Sequence, residues 1–499
     1  MSTTAPQADA PVEGATWWAA RVREGDMSAV EVIERHLERI RERDAAARAF
    51  LFVDEKGALE RAAAVDRARA DGAALGPLAG VPVALKDLFV TKSMPTTAGS
   101  RILEGYVPPY DGHAALALAG AGGVIVGKVT LDEFGMGSAG EHSSFAVAEN
   151  PWSADHRVGG SSSGSAAAVA HGLVPAALGT DTGGSVRWPA SCTNLVGLKP
   201  TYGRISRHGM IAFASSLDQA GPMARTVEDV ATMLSILAGP DRHDATSLDT
   251  PVEDYVASCR EPVRGRTVGV VRRAIDDDRV HPDVRASVQR ALAALADAGV
   301  ALVDVELPSM DLWVPTYYVI CCAEAASNLA RYDGMRYGRR VAGADLAETI
   351  ERTRTEGFGP EVQRRILVGT FVLRKDSYDA YYGAAVRARA RISAELDRAL
   401  ATCDALALPV SPEPAIPKAR EADDPVTAYL RDVFTVAANL AGLPALSVPA
   451  GFATSDGATL PVGLQLVGRR LGEGPLLSLA GAVERILGAG RRRPGDKAP

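Results

Sequence analysis

An α/β fold, with a mixed central β-sheet covered by helices on both faces, is predicted by three features of the sequence. Short apolar runs alternate with amphipathic helical stretches, a full β-α-β unit is legible between residues 267 and 305, and apolar strands recur near the C-terminus. The composition agrees: of 499 residues, 47% are hydrophobic and 23% charged, enough apolar mass for a large core.

In chain order, a helix opens at Ser28, whose hydroxyl caps it while Glu31 reaches back; Val30, Ile33, Leu37 and Ile40 form one apolar stripe. An Ala-rich helical stretch at 59–70 is followed by the Gly76-Pro77 turn and a strand at 81–85 that ends at Lys86; Pro82 marks an edge strand or a strand start. Residues 113–120 read as helix and 124–126 as buried strand, before a Gly/Ser-rich stretch at 159–184. Thr226 caps a further helix with Asp229. The β-α-β unit comprises strand 267–271, amphipathic helix 282–298 and strand 301–305, and further strands are expected at 405–410, 446–448 and 462–467. One domain is expected over 14–490, with residues 1–13 and 491–499 as flexible, solvated ends.

The formal net charge of −7 argues against a nucleic-acid footprint, which needs a surplus of Lys and Arg on one face. Five cysteines, at 192, 259, 321, 322 and 403, show no C-x-x-C spacing and read as reduced thiols. Without a basic, then apolar, leader or a run long enough to span a bilayer, the expected location is the cytoplasm. None of the eight histidines has metal-ligand spacing, so no metal is expected.

Two motifs fail on inspection. Gly122-Gly-Val-Ile-Val-Gly127-Lys128-Val129 approaches a phosphate-binding loop, but Val129 stands where Ser or Thr must reach Mg²⁺, and 124–126 is strand-like. Gly160-Ser-Ser162-Ser-Gly164 matches G-x-S-x-G, yet polar loop precedes it where that elbow needs a strand. The glycines are better read with Ser165-Ala-Ala-Ala-Val-Ala170, a strong short helix: they bring backbone close to a helix N-terminus, where N–H groups attract negative charge.

Gly159-Gly-Ser-Ser-Ser-Gly-Ser165 followed by Gly179-Thr-Asp-Thr-Gly-Gly-Ser185-Val-Arg-Trp-Pro189 resembles the amidase signature family. The resemblance runs from Gly80-Val-Pro-Val-Ala-Leu-Lys86-Asp, through Gly197-Leu-Lys-Pro-Thr-Tyr-Gly203, to Leu460-Pro-Val-Gly-Leu-Gln465, with the signature core at about 76–235. It implies the amidase-signature fold and a serine amidohydrolase that needs no cofactor on this chain. By the same resemblance Lys86, Ser161 (after a cis peptide) and Ser185 form a proton relay, with the two serines 24 positions apart. Ser185 would attack an amide carbon, Ser161 would pass on its proton, and neutral Lys86 would accept it. A free lysine, with a pKa near ~10.4, is a base in only about one molecule in a thousand at neutral pH, so Lys86 must be buried. Asp87 is expected to point away from it. The oxyanion hole implied by the resemblance comprises the amides of Thr182, Gly183, Gly184 and Ser185, where the two glycines let consecutive N–H groups turn inward.

Within the family the chain is most similar to the ammonia-releasing A subunits of glutamine-dependent aminoacyl-tRNA amidotransferases. The likeness lies in Gly105-Tyr-Val-Pro-Pro-Tyr-Asp111, Ala214-Ser-Ser-Leu-Asp-Gln219, Arg364-Arg-Ile-Leu-Val-Gly-Thr370 and Tyr429-Leu-Arg-Asp432-Val-Phe-Thr435. It implies two partners, a separate tRNA-binding B subunit that uses ATP and Mg²⁺ and a small C subunit, with no direct nucleic-acid or membrane binding here. Glutamine carries an α-carboxylate and an α-ammonium, so its pocket needs one cation and one anion; the matching positions are Arg365 and Asp432. Asp432 is read on a rather apolar helix, Tyr317 or its neighbour Tyr318 is a hydroxyl contact, and Ser138 borders the site. Ser163, Trp188, Ser191-Cys-Thr-Asn194 and Ala139, Gly140 and His142 depart from the pattern of these subunits and are expected to alter the walls around the relay. They keep open a stand-alone amidase acting on another carboxamide. A non-catalytic assembly subunit is a further reading.

Overall fold

The computed structural model describes residues 12–420 and 430–496. Eleven strands form one mixed sheet among these residues: β1 (Phe50–Val53), β2 (Pro82–Lys86), β3 (Val124–Val129), β4 (Ala176–Asp181), β5 (Val196–Lys199), β6 (Gln219–Ala224), β7 (Thr267–Val270), β8 (Ala301–Asp304), β9 (Ala405–Pro409), β10 (Ala445–Ser455) and β11 (Ala458–Gly468). Their order across the sheet is β1-β3-β2-β4-β6-β5-β10-β11-β9-β7-β8. Five helices matter below: α1 (Ala29–Ala47), α2 (Ser163–Ala170), α3 (Arg187–Cys192), α4 (Trp313–Asn328) and α5 (Pro360–Val372).

Helix α1 starts where its capping box dictates: Ser28 Oγ accepts from Glu31 N–H, and the Glu31 carboxylate accepts from Ser28 N–H. The β-α-β unit forms as read, with β7 parallel to β8. Pro82 is the first residue of an interior strand, so its missing N–H marks a strand start, not an edge. Strands β4 and β6, which carry no strand-like periodicity, are built largely from Ala and Gly, and β5 is a four-residue Val-Gly-Leu-Lys segment.

The position of the site follows from three parallel strands. β2 pairs in parallel with both β3 and β4, with Leu85 opposite Leu178, so their carboxyl ends lie along one edge of the sheet. At such an edge the loops are free to converge on a ligand. Lys86 ends β2, the 130–142 loop follows β3, and the turn to Ser185 follows β4. Lys86 also lies at a seam between two apolar cores: Leu85 belongs to one, with α2, and Leu88 to the other, with Leu131, Tyr317 and Phe434.

Lys128 is fully buried in β3 and donates to Asp87 Oδ1 at 2.9 Å and Thr96 Oγ1 at 2.8 Å, so the near-match to a phosphate loop is a strand with a paired lysine. Asp87 Oδ2 accepts from the Thr97 N–H and hydroxyl, and the carboxylate turns away from Lys86. The C-terminal end differs from the solvated end expected from residue 491. Asn194 Nδ2 donates to the carbonyls of Ala489 and Arg492, and the Arg492 guanidinium lies 4.3 Å over the Phe452 ring. The five cysteines are free and buried. No helix among the described residues is long and apolar enough to cross a membrane.

Removing one partner from a buried ion pair strands the other charge. Asp87→Ala is therefore expected to cost about 3–5 kcal/mol in urea denaturation, and an Asp87→Leu, Lys128→Met double variant to recover most of that loss.

Candidate active site

Lys86 is fully buried, and its amine is surrounded by hydroxyls. Nζ lies 2.7 Å from Ser161 Oγ, 2.8 Å from Thr180 Oγ1 and 3.0 Å from Ser162 Oγ. Burial pushes the Lys86 pKa down to about 7, against the pull of Asp132, Asp181 and Asp218. Those acids are engaged elsewhere. Asp132 accepts from the Gly140 and His142 N–H groups, and Asp218 from Thr182 Oγ1 and the Phe213 and Ala214 amides. Ser162 Oγ donates to the Thr180 carbonyl and accepts from Thr180 N–H, which locks it in place.

Ser161 follows a cis Gly160-Ser161 peptide. The strand needed for a nucleophile elbow at Gly160–Gly164 is missing; instead α2 begins inside the motif, at Ser163. Two anchors position this loop: Ser161 O accepts from Asp132 N–H at 3.1 Å, and Gly160 N–H donates to Ser138 O at 2.8 Å. Ser162 N–H donates to Ser185 O at 3.2 Å, which joins the loop to the Ser185 turn. Ser185 is 8% exposed, whereas Lys86 and Ser161 are at 0%, so of the three it is the one a substrate can reach.

Between β4 and α3, the Ser185 turn is held by a buried clamp. Arg187 donates Nε to Asp181 Oδ2 at 3.0 Å and Nη2 to Asp181 Oδ1 at 2.9 Å. Its remaining donors go to Thr435 O, Gln465 Oε1 and Asn439 Oδ1, while Asn439 Nδ2 returns to Asp181. Burial works against the Asp181 carboxylate, but Arg187 outweighs it and keeps the group well below the usual carboxylate range. The clamp corrects the expected set of oxyanion donors. Gly184 N–H is taken by Asp181 Oδ1 at 2.9 Å, whereas the Thr182, Gly183 and Ser185 amides have no hydrogen bond among the described residues. Gly183 is required, because a Cβ there would lie 2.5 Å from the Tyr317 ring.

Tyr317, Arg365 and Asp432 gather on the α4 side of Ser185, whereas Ser138 stands on the Ser161-loop side. Tyr317 packs against Gly183, and the Tyr318 hydroxyl donates to Asp432 Oδ2 at 3.1 Å, so the two tyrosines divide the roles left open between them. Asp432 lies on a single 3-10 turn, Leu430–Asp432, not on an apolar helix; Tyr429 falls outside the described residues. Thr435 ties that turn to the Ser185 turn, since its hydroxyl donates to Gly183 O at 2.6 Å and its N–H to Asp432 O at 3.0 Å. Burial raises the Asp432 carboxyl to about 7, with Tyr318 and Arg365 pulling it down. Arg365, on α5, is buried; its guanidinium lies 5.3 Å over the Tyr318 ring, and its Nε donates to Glu361 Oε1 at 2.7 Å. The surface charge is its neighbour Arg364, which also pairs with Glu361. A cation and an anion thus stand on either side of Tyr318. Sequence reasoning missed Glu361, Thr180, Ser162, Asp218 and Asn439. Of these only Glu361 left a signal, the i,i+4 spacing to Arg365.

The departures from the pattern of the amidotransferase subunits lie behind the Ser161 loop. Trp188 Nε1 donates to Ser138 O at 2.8 Å, and a Cβ on Gly159 would lie 3.2 Å from both Trp188 Nε1 and Cys192 Sγ. Trp188 and Cys192 belong to a small cluster with Val410, Ile416 and Leu460. Ser163 Oγ is buried without a hydrogen-bond partner among the described residues. Trp188 and Cys192 shape the support of the loop, whereas His142 lies within electrostatic reach of Glu361, the partner of Arg365.

Comparison with known proteins agrees with this geometry. The chain is 51% identical over 468 residues to the A subunit of the glutamyl-tRNA(Gln) amidotransferase of Myxococcus xanthus, covering 94% of this chain and 96% of the relative. Among solved structures, the A subunit of the glutamyl-tRNA(Gln) amidotransferase of Thermotoga maritima superposes with a TM-score of 0.76 at 41% identity, covering 92% of this chain and 91% of that one. The peptide amidase of Stenotrophomonas maltophilia superposes with a TM-score of 0.81 at 32% identity, covering 98% and 99%. The model of the amidase family matches residues 31–477, and with the buried lysine, the serine loop and the clamped Ser185 turn in place, the chain belongs to that family of enzymes.

Proposed function

We propose that this chain is the glutamine-hydrolysing A subunit of a tRNA-dependent amidotransferase, acting through a Ser185, Ser161, Lys86 relay. The observation that carries the chemistry is the buried Lys86 amine, 2.7 Å from Ser161 Oγ and with a pKa near 7. As a neutral amine it has two protons to donate and one lone pair. Thr180 Oγ1 and Ser162 Oγ take the protons, and the lone pair is left for the Ser161 hydroxyl. Ser161 draws the proton from Ser185 as that oxygen adds to the amide carbon, and Lys86 stores it until the leaving nitrogen departs as ammonia. The Thr182, Gly183 and Ser185 N–H groups receive the developing oxyanion.

For the substrate, the support is the near-complete likeness to the amidotransferase relatives together with the charges around Tyr318. Arg365 takes the α-carboxylate and Asp432 the α-ammonium, with Tyr317 against the bound chain and Ser138 on the loop side. A bound ammonium returns Asp432 to its charged form, offsetting the burial that raises it in the empty pocket. Ammonia then passes to the tRNA-binding B subunit, which uses ATP and Mg²⁺ and is assembled with a small C subunit in the cytoplasm.

Three outcomes test this. Lys86 accepts a proton only when neutral, so kcat/KM should rise with pH through about 7 and fall about tenfold per unit well below it. A profile flat across that range rules out the relay. Ser185→Ala should lose about 10⁴-fold or more in kcat with an unchanged melting temperature, where a non-catalytic subunit would lose nothing. Asp432→Asn should raise the KM for glutamine about 10- to 100-fold and change kcat less, read from ammonia release by the assembled complex. Turnover of small amides with glutamine ignored would replace the subunit reading with that of a stand-alone amidase.

A further inference from the structure

Buried charges in proteins are paired, and an exception points to a missing partner. Arg225 is 8% exposed, yet no carboxylate among the described residues pairs with it. Its Nη2 donates to the carbonyls of Val169 and Ala170, at 3.1 and 2.8 Å, at the last turn of α2. Burial, and after it the like charge of Arg493, pushes the Arg225 guanidinium down to about 9. Arg493 has its own Nη1 buried without a hydrogen-bond partner among the described residues.

Both arginines line a cavity of about 490 Å³ together with Arg39 and Arg43. The one acid in the lining is Glu13, 3.4 Å from Arg39. His36 and His171 complete its titratable wall, and burial lowers both below the usual imidazole value, His36 to about 4, so they are neutral near pH 7. Four arginines line the cavity against Glu13, and Asp496, which accepts from Arg493 N–H at 2.6 Å, is the one further carboxylate acting on Arg493; two carboxylates against four guanidiniums leave an excess that a single carboxylate ligand does not neutralise. A doubly charged tetrahedral oxyanion does so better, and its oxygens match the planar forks of several arginines. The cavity is distinct from the active site: it sits at the C-terminal end of α2, whereas Ser161 and Ser162 precede its N-terminus, about 12 Å away along the helix.

We infer that this cavity is a binding site for a phosphate dianion, held by Arg225, Arg493, Arg39 and Arg43. The phosphate is either inorganic phosphate or the terminal group of a small phosphate monoester, which the volume also accommodates.

Isothermal titration of the full chain with inorganic phosphate, and separately with a nucleoside monophosphate, tests this at constant ionic strength against chloride. The expected result is saturable binding of one phosphate per chain, weakened about tenfold or more in both Arg493→Gln and Arg39→Gln and unchanged in the distant surface variant Lys92→Gln. Arg225→Lys, which keeps the charge and the bond to the helix carbonyls, guards against loss of folding and should weaken binding because the fork is gone. Tighter binding of the monophosphate assigns the site to an organic phosphate, and equal binding assigns it to the free ion. Phosphate heats no larger than those of chloride, or binding untouched by Arg493→Gln, would overturn the inference.

Discussion

The architecture of the site depends on keeping one buried amine from the carboxylates around it. Two lysines, Lys86 and Lys128, are buried on adjacent parallel strands, with Lys128 in register with Leu85, and a single aspartate follows the first of them. Successive side chains of an extended chain point to opposite sides. Asp87 therefore meets Lys128 at 2.9 Å, and Lys86 meets three hydroxyls. Hydroxyls satisfy the hydrogen-bonding capacity of an amine without stabilising its charge as an anion would. That difference is what leaves desolvation as the dominant influence on Lys86. The acids nearby are each occupied by donors of their own: Asp132 by two backbone amides, and Asp181 by a two-point guanidinium contact.

That second pairing ties the two halves of the chain together. The turn bearing Ser185 is local to β4 and α3, but the groups that hold it are not: Arg187 reaches Thr435, Asn439 and Gln465, which lie 248 to 278 positions away in sequence. The same 432–435 turn carries Asp432 and presses Thr435 against Gly183 and Gly184. The Ser185 turn and Asp432 thus share one support. A change in the C-terminal segment reaches the Ser185 turn without touching Ser185 itself.

How much of this is legible in the sequence depends on whether a signal is local. The capping box at Ser28, the 282–297 helix and the apolar strands of the C-terminal half announce themselves through period and side-chain type. Strand β4 does not: Ala176-Ala-Leu-Gly-Thr-Asp181 has weak strand propensity and forms because β2 and β6 clasp it from both sides. Lys86, Ser161 and Ser185 stand out because glycine spacing surrounds them. Thr180 and Ser162, which hold the same amine, are single hydroxyl residues with no spacing of their own, and only the parallel register of β2 and β4 brings Thr180 to Lys86. Asp432 reads as helical in the sequence because the apolar residues after it belong to a separate short helix, Val436–Leu440.

The residues that depart from the pattern of the amidotransferase relatives bear on specificity in a way their sequence positions do not suggest. Trp188 and Ser191 to Asn194 follow the nucleophile by a few positions and would be expected to line the substrate pocket. Yet the Trp188 indole bonds the Ser138 carbonyl, the same oxygen that receives Gly160 N–H, and Ser191 Oγ accepts from Gly463 N–H at 2.9 Å. Asn194 holds the C-terminal end. The first of these contacts props the Ser161 loop, and the second ties α3 to β11. Under the proposed function, a substitution that rebuilds a support changes how firmly a hydroxyl is aimed, and so acts on rate; one that rebuilds the charged wall changes which amide is held. Arg365, Glu361, Tyr318 and Asp432 form a connected set on that wall, while the hydrogen bonds of Trp188, Ser191 and Asn194 run to Ser138, Gly463 and the C-terminal end.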